Sequence, residues 1–207
     1  MSAHSPLARW LFGVFALLWV VLAIAPWYRQ DWLLENLLVF IAVPLLARYG
    51  PSLRLSDASY LCLFVFFSLH IVGAHYTYAE VPYRDWYAAL GGRSYVADFG
   101  AGRNHYDRLV HFLYGLLMAL PSMELLDARA RPQGLWRWLL PVLFLMSHGA
   151  LYESIEWIAA EIFGGELGAA YLGTQGDIWD AQKDTALAAI GALLGVSFWL
   201  WRRGRQR

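Results

Sequence analysis

Three stretches of an otherwise apolar chain carry acids and histidines at helical spacing. HYDRLVHFLYGLL sets Asp107 and His111 at i and i+4. YESIEWIAAEIF sets Glu153 and Glu156 at i and i+3, and GDIWDAQKD sets Asp177, Asp180 and Asp184 at i, i+3 and i+7. Residues three or four apart share a helix face, so each set makes one stripe. Hard carboxylate oxygens joined by imidazole suit Mg, Mn, Zn or Fe, and helix-borne DxxxH and ExxE sets are similar to the ligand placement of carboxylate-bridged bundles. The candidate metal ligands are therefore Asp107, His111, Glu153, Glu156, Asp180 and Asp184. Glu153, Glu156 and Asp184 are the candidate catalytic residues.

These residues need elements to carry them, and composition says what those are. The 207 residues are 59% hydrophobic and 16% aromatic with only 15% charged, and the mean hydropathy is +0.41. Such a chain belongs in a bilayer. A spanning helix needs about 20 mostly apolar residues, and six segments qualify, at about 9–27, 33–48, 57–78, 105–127, 138–162 and 179–201. The expected fold is an all-α polytopic membrane bundle, one integral membrane domain over residues 1–207, with an ordered outer loop at about 79–104. RYGPSLRLSD and ARARPQGLW carry turn residues between segments two and three and between four and five. The apolar run from Trp10 to Trp27 exceeds a signal-peptide core and reads as a retained helix.

Charge supplies orientation and excludes one class. Lys+Arg and Asp+Glu balance at 16 each, which argues against a nucleic-acid footprint. With both termini cytoplasmic, ten of the 16 basic residues fall inside, as the positive-inside rule favours. The single cysteine, Cys62, excludes an intrachain disulfide.

Cost makes the acids informative. An ionised side chain near the bilayer centre costs about 2.5–3.5 kcal/mol, against about 0.3–0.6 gained per Leu or Ile. At 1.5 Å per residue, His111, Glu156 and Asp184 lie about 8–9 Å below the outer ends of their segments and Glu153 about 14 Å. Three helices running up, down and up thus bring acids to one layer near the outer face. Structural readings compete at several positions. Asp177 and Asp180 have the spacing of a capping box, where helix-terminal anions gain about 0.3–1 kcal/mol. Glu35, near the start of its helix, is explained by the dipole alone, Lys183 snorkels or pairs with Asp180, and Glu124 with His148 could form a separate buried pair. Asp107 with Arg108 could be interface charge, and His70 and His75 could join the polar layer from the third segment.

The stretches HYDRLVHFLYGLL, YESIEWIAAEIFGG and AYLGTQGDIWDAQKDTALAAIGALLG resemble those of the YjdF-type bacterial inner-membrane proteins, a family of unknown function. That resemblance implies an inner-membrane, multi-pass helical protein. YDRLVHF and the DxxKDxxxxxxGxxxG pattern are also similar to VanZ-like membrane proteins, whose members are associated with resistance to cell-envelope antibiotics. Neither resemblance supplies catalytic residues. Three functions are open: a metal-dependent enzyme acting on an envelope lipid or lipid-linked substrate through metal-activated water, a proton-coupled transporter or channel-like carrier, and a scaffold whose polar cluster ties helices together.

Overall fold

The computed structural model describes residues 4–91, 94 and 102–205. Among these the regular structure is helical and no strand occurs. In chain order the helices are α1 Pro6–Leu22, α2 Arg29–Leu53, α3 Asp57–Tyr76, α4 Tyr83–Ala89, α5 Tyr106–Arg129, α6 Trp136–Phe163, α7 Gly165–Leu172 and α8 Asp180–Gly204, with a 3₁₀ turn at Tyr78–Glu80. α2, α3, α5, α6 and α8 are long and apolar enough to cross a membrane, and α1 is a shorter apolar helix of 17 residues. The six expected segments are thus the six longest helices.

Their boundaries follow local chemistry. Ser5 caps α1, its Oγ accepting the Ala8 N–H at 3.1 Å with Pro6 at the first helical position. α1 stops at Leu22, five residues before the expected end, because Ala25 takes a positive φ of 48° and Pro26 follows. The expected turn RYGPSLRLSD is mostly helix instead. α2 runs through Pro44, Gly50 and Pro51 to Leu53 and turns only at Arg54, which adopts the left-handed conformation at φ 54°. Proline survives inside a membrane helix because packing neighbours support the freed carbonyl. Gly50 is buried beneath Tyr60, whose hydroxyl lies 2.6 Å from where a Cβ would stand.

The start of α1 and the end of α8 lie at the same end of the bundle. There His4 shares hydrogen bonds with the Tyr60 hydroxyl at 2.9 Å and the Ala47 carbonyl at 2.8 Å. Arg203 of α8 pairs with Asp127 of α5 at 2.6 Å. Glu124 accepts from the Ser56 N–H at 2.8 Å and the Ser59 hydroxyl at 2.7 Å. His148 is exposed and turned to the Phe144 carbonyl at 2.8 Å. Glu124 and His148 therefore form no pair.

α5 and α8 share the most extensive interface in the bundle. Glycines make it so. A Cβ on Gly115 would run into the Ala188 carbonyl, one on Gly191 into the Phe112 carbonyl, and one on Gly195 would stand 2.6 Å from the Leu116 carbonyl. Backbone against backbone is the small-residue packing of membrane helices. Its consequence for the site is direct: the first turns of α5 and α8 are clamped together with their acids between them.

Candidate functional site

Asp107 and His111 lie on the first two turns of α5, Asp180 and Asp184 on the first two turns of α8, and Glu153 and Glu156 on α6. One carboxylate oxygen from each of Asp107, Asp180 and Asp184 lies within 4.8 Å of the others. Asp184 is 2% exposed, and its Oδ1 has no hydrogen-bond partner. His111 borders this group, with Nε2 3.4 Å from Asp107 Oδ1 and 3.5 Å from Glu153 Oε1. Glu153 Oε1 is buried and makes no hydrogen bond. Glu156 is outside the three-carboxylate group. It is near enough to Glu35, Glu153, Asp107 and Asp184 to feel their charge.

Fixed cations hold the rim at the N-terminal ends of α5 and α8. Arg103, three residues ahead of α5, grips Asp180 with both guanidinium nitrogens, Nη1 to Oδ1 at 2.7 Å and Nη2 to Oδ2 at 2.8 Å. It also donates to the Thr174 carbonyl at 2.7 Å and stands 3.9 Å from Asp107. Arg108 meets Asp177 at 2.5 Å and Asp180 at 3.4 Å. Lys183 pairs with Asp177 at 2.6 Å rather than with Asp180. The capping box is not formed either. Trp179 is the N-cap of α8 and no side chain caps the helix, while Asp177 Oδ1 accepts the Trp179 N–H at 3.1 Å. These partners, Lys183 first, then the Trp179 N–H and Arg108, hold the Asp177 carboxyl below the usual carboxylate range. His105 on the same rim is held below the ordinary imidazole value, first by burial and then by Arg108, Arg103 and Arg84.

The loops fasten this rim down. Asn104 donates its N–H to Gln175 Oε1 at 2.7 Å and its side-chain amide to the Val81 carbonyl at 2.9 Å. The Gln175 amide returns to the Asn104 carbonyl at 3.0 Å, and Arg84 of α4 donates to the carbonyls of Gly102 and Arg103. An ordered cap was expected over 79–104. Its two ends are ordered in this way, and residues 92–93 and 95–101 lie outside the described residues.

Two histidines expected as contributors stand apart. His70 is buried on the Glu35 carbonyl at 3.0 Å and the Tyr78 hydroxyl at 2.5 Å, and His75 faces the Leu22 carbonyl at 2.8 Å. Sequence reasoning missed α2 instead. Glu35 is 3% exposed and accepts the Tyr152 hydroxyl at 2.7 Å, which a dipole role does not require. Asp31, one turn away, is 1% exposed, accepts the Thr77 hydroxyl at 2.7 Å and leaves Oδ1 without a partner. Their i, i+4 spacing was the signal, the same one that marked Asp107 and His111.

Beside the site an open cleft of ≈ 480 Å³ separates α6 from the start of α8. Glu153 and Asp180 line it on the site's side, and Trp157, Leu172 and Ile178 supply apolar wall.

The chain belongs to the family DUF2238, described as predicted membrane proteins, whose model matches residues 7–205. It is 35% identical to the inner membrane protein YjdF of Escherichia coli (strain K12), over 82% of this chain and 78% of that one. No solved structure matches. The protein is a multi-pass inner-membrane protein, as its apolar helices and this relative agree.

Proposed function

For this DUF2238 member we propose a membrane-embedded, metal-dependent enzyme that hydrolyses an envelope lipid or lipid-linked substrate at the outer face. The observation that carries the reading is Asp184, buried and with Oδ1 unpartnered, opposite Asp107 and Asp180 within 4.8 Å. A buried carboxylate without a partner is costly, and a divalent cation offsets that cost. Asp107, Glu153, Glu156, Asp177, Asp180 and Asp184 face three fixed cations, Arg103, Arg108 and Lys183, so half of these acids lack a fixed counter-charge. The donor set suits a hard ion: Asp107 and Asp184 would hold it, with Asp180, already gripped by Arg103, beside them.

When bound, such an ion supplies Lewis acidity and makes a nearby water acidic. The chain's own residues do the rest. Glu153 lines the cleft, so its carboxylate stands where it can accept a proton from water on the substrate side. His111, with Nε2 3.4 Å from Asp107 and 3.5 Å from Glu153, is placed to carry that proton onward. The test is turnover. Protein reconstituted with envelope lipid fractions should generate a hydrolysis product that chelator abolishes and divalent metal restores, and Glu153→Gln should remove it. Absence of any metal-dependent product across all fractions counts against the reading.

A second reading, a proton-coupled carrier, is favoured by the acids continuing from Glu156 to Glu35 and Asp31 on α2. It expects proton flux in proteoliposomes that Glu153→Gln removes.

A further inference from the structure

We infer that the cleft between α6 and the start of α8 is a lateral entry for a phospholipid of the outer leaflet, with the phosphate turned toward Asp107 and Asp184 and an acyl chain along Trp157, Leu172 and Ile178. The inference rests on the metal reading for the phosphate and on the cleft alone for the chain.

The lining divides by chemistry. Glu153 and Asp180 mark the side that meets the acid cluster, while Trp157 and Ile178 mark the mouth. The mouth continues into lipid: Trp157 lies among the exposed Ile155, Ile158 and Ile162 of α6. At the rim Ile178 is 85% exposed next to the exposed Trp179. Two large apolar side chains at a loop tip, one an indole, are the residues that a bilayer interface retains and water does not.

Depth fits the same occupant. Asp180 and Asp107 are the first and second residues of α8 and α5, while Asp184 and His111 lie one turn or more further in, so the cluster reaches from the helix ends to about 6–8 Å below them. A phosphate drawn in from the headgroup layer travels that far without its chains leaving the hydrocarbon. The volume of ≈ 480 Å³ admits a headgroup and the first part of a chain, not a whole two-chain lipid, so the remainder stays in the bilayer. A phosphate also needs positive charge opposite it, which a divalent ion held by the acids would supply.

The experiment uses the full chain in nanodiscs containing phosphatidylglycerol with a diazirine near the carbonyl end of one acyl chain, and diacylglycerol with the same diazirine as the phosphate-free control. After irradiation, labelled peptides are mapped. Labelling concentrated on Trp157, Leu172 and Ile178, stronger for the phospholipid, and lost in Ala181→Trp, which fills the cleft, is the expected result. Gln182→Trp stands in if Ala181→Trp does not fold. Labelling spread over the lipid-facing sides of α1, α2 and α6 and unchanged by the tryptophan overturns lipid entry, and equal labelling by both lipids overturns the phosphate. Metal content is measured on the same samples. Cleft labelling in metal-free protein leaves the acyl site and removes the enzyme reading, whereas metal without cleft labelling does the reverse.

Discussion

Arg103 and Asp180 form a two-pronged pair, Nη1 to Oδ1 at 2.7 Å and Nη2 to Oδ2 at 2.8 Å, with the side chains only 10% and 6% exposed. The pair joins the segment before α5 to the first residue of α8, where the candidate ligands of both helices meet. Breaking a buried pair leaves one charge uncompensated, at about 3–5 kcal/mol. Arg103→Gln should therefore lower stability by that order, and adding Asp180→Asn should recover much of the loss. A double-mutant cycle read by thermal unfolding in detergent checks this. Additive losses contradict it.

The glycine seam makes a second prediction. Gly115→Ala and Gly191→Ala force a Cβ into the facing backbone, and overpacking costs about 1–3 kcal/mol. Gly13→Ala on α1 meets nothing within 4 Å and should stabilise by about 0.5–1 kcal/mol through backbone entropy. Opposite signs in the melting temperature test the seam; equal behaviour of the three variants refutes it.

Most of the fold was legible in the sequence because the bilayer imposes it: apolar segments of spanning length become helices, and glycine–alanine runs such as AAIGALLG become close interfaces. Turn residues misled where the membrane overrode them, as at Gly50 and Pro51, which α2 simply includes. The stripes of Asp107, His111, Glu153, Asp180 and Asp184 were legible through cost and spacing, since helical period fixes their faces. The partners were not. Nothing in the spacing of Arg103 says that it reaches Asp180 77 residues away, and Glu35 was hidden because a helix-terminal acid has a sufficient local explanation.

Tyr152 is the link to that hidden acid. Its hydroxyl donates to Glu35 Oε2 at 2.7 Å, and Tyr152→Phe leaves a buried carboxylate without its donor, at about 1–3 kcal/mol. Because Glu35 is not among the proposed ligands, metal content should be unchanged. Calorimetry with elemental analysis separates the two effects, and metal loss in this variant would extend the site to α2.

The Asp177 contacts predict an acid-sensitive rim. The carboxyl is held below its ordinary value by Lys183, the Trp179 N–H and Arg108, so the folded state binds its proton more weakly than the unfolded chain does. The associated stability is present above the unfolded value near about 4 and is lost as pH falls through the lower folded value. The difference in melting temperature between wild type and Asp177→Asn should be constant near neutrality and shrink below about pH 4. A difference that grows in acid reverses the assigned sign.

The central claim is that Asp107, Asp180 and Asp184 hold a divalent ion. Elemental analysis of the purified protein, with Asp184→Asn and the distant Glu124→Gln alongside, tests it most directly. The account predicts stoichiometric metal in wild type and Glu124→Gln, none in Asp184→Asn, and a melting temperature that chelator lowers only in the first two. Metal-free wild-type protein whose melting temperature ignores both added divalent ions and chelator contradicts it.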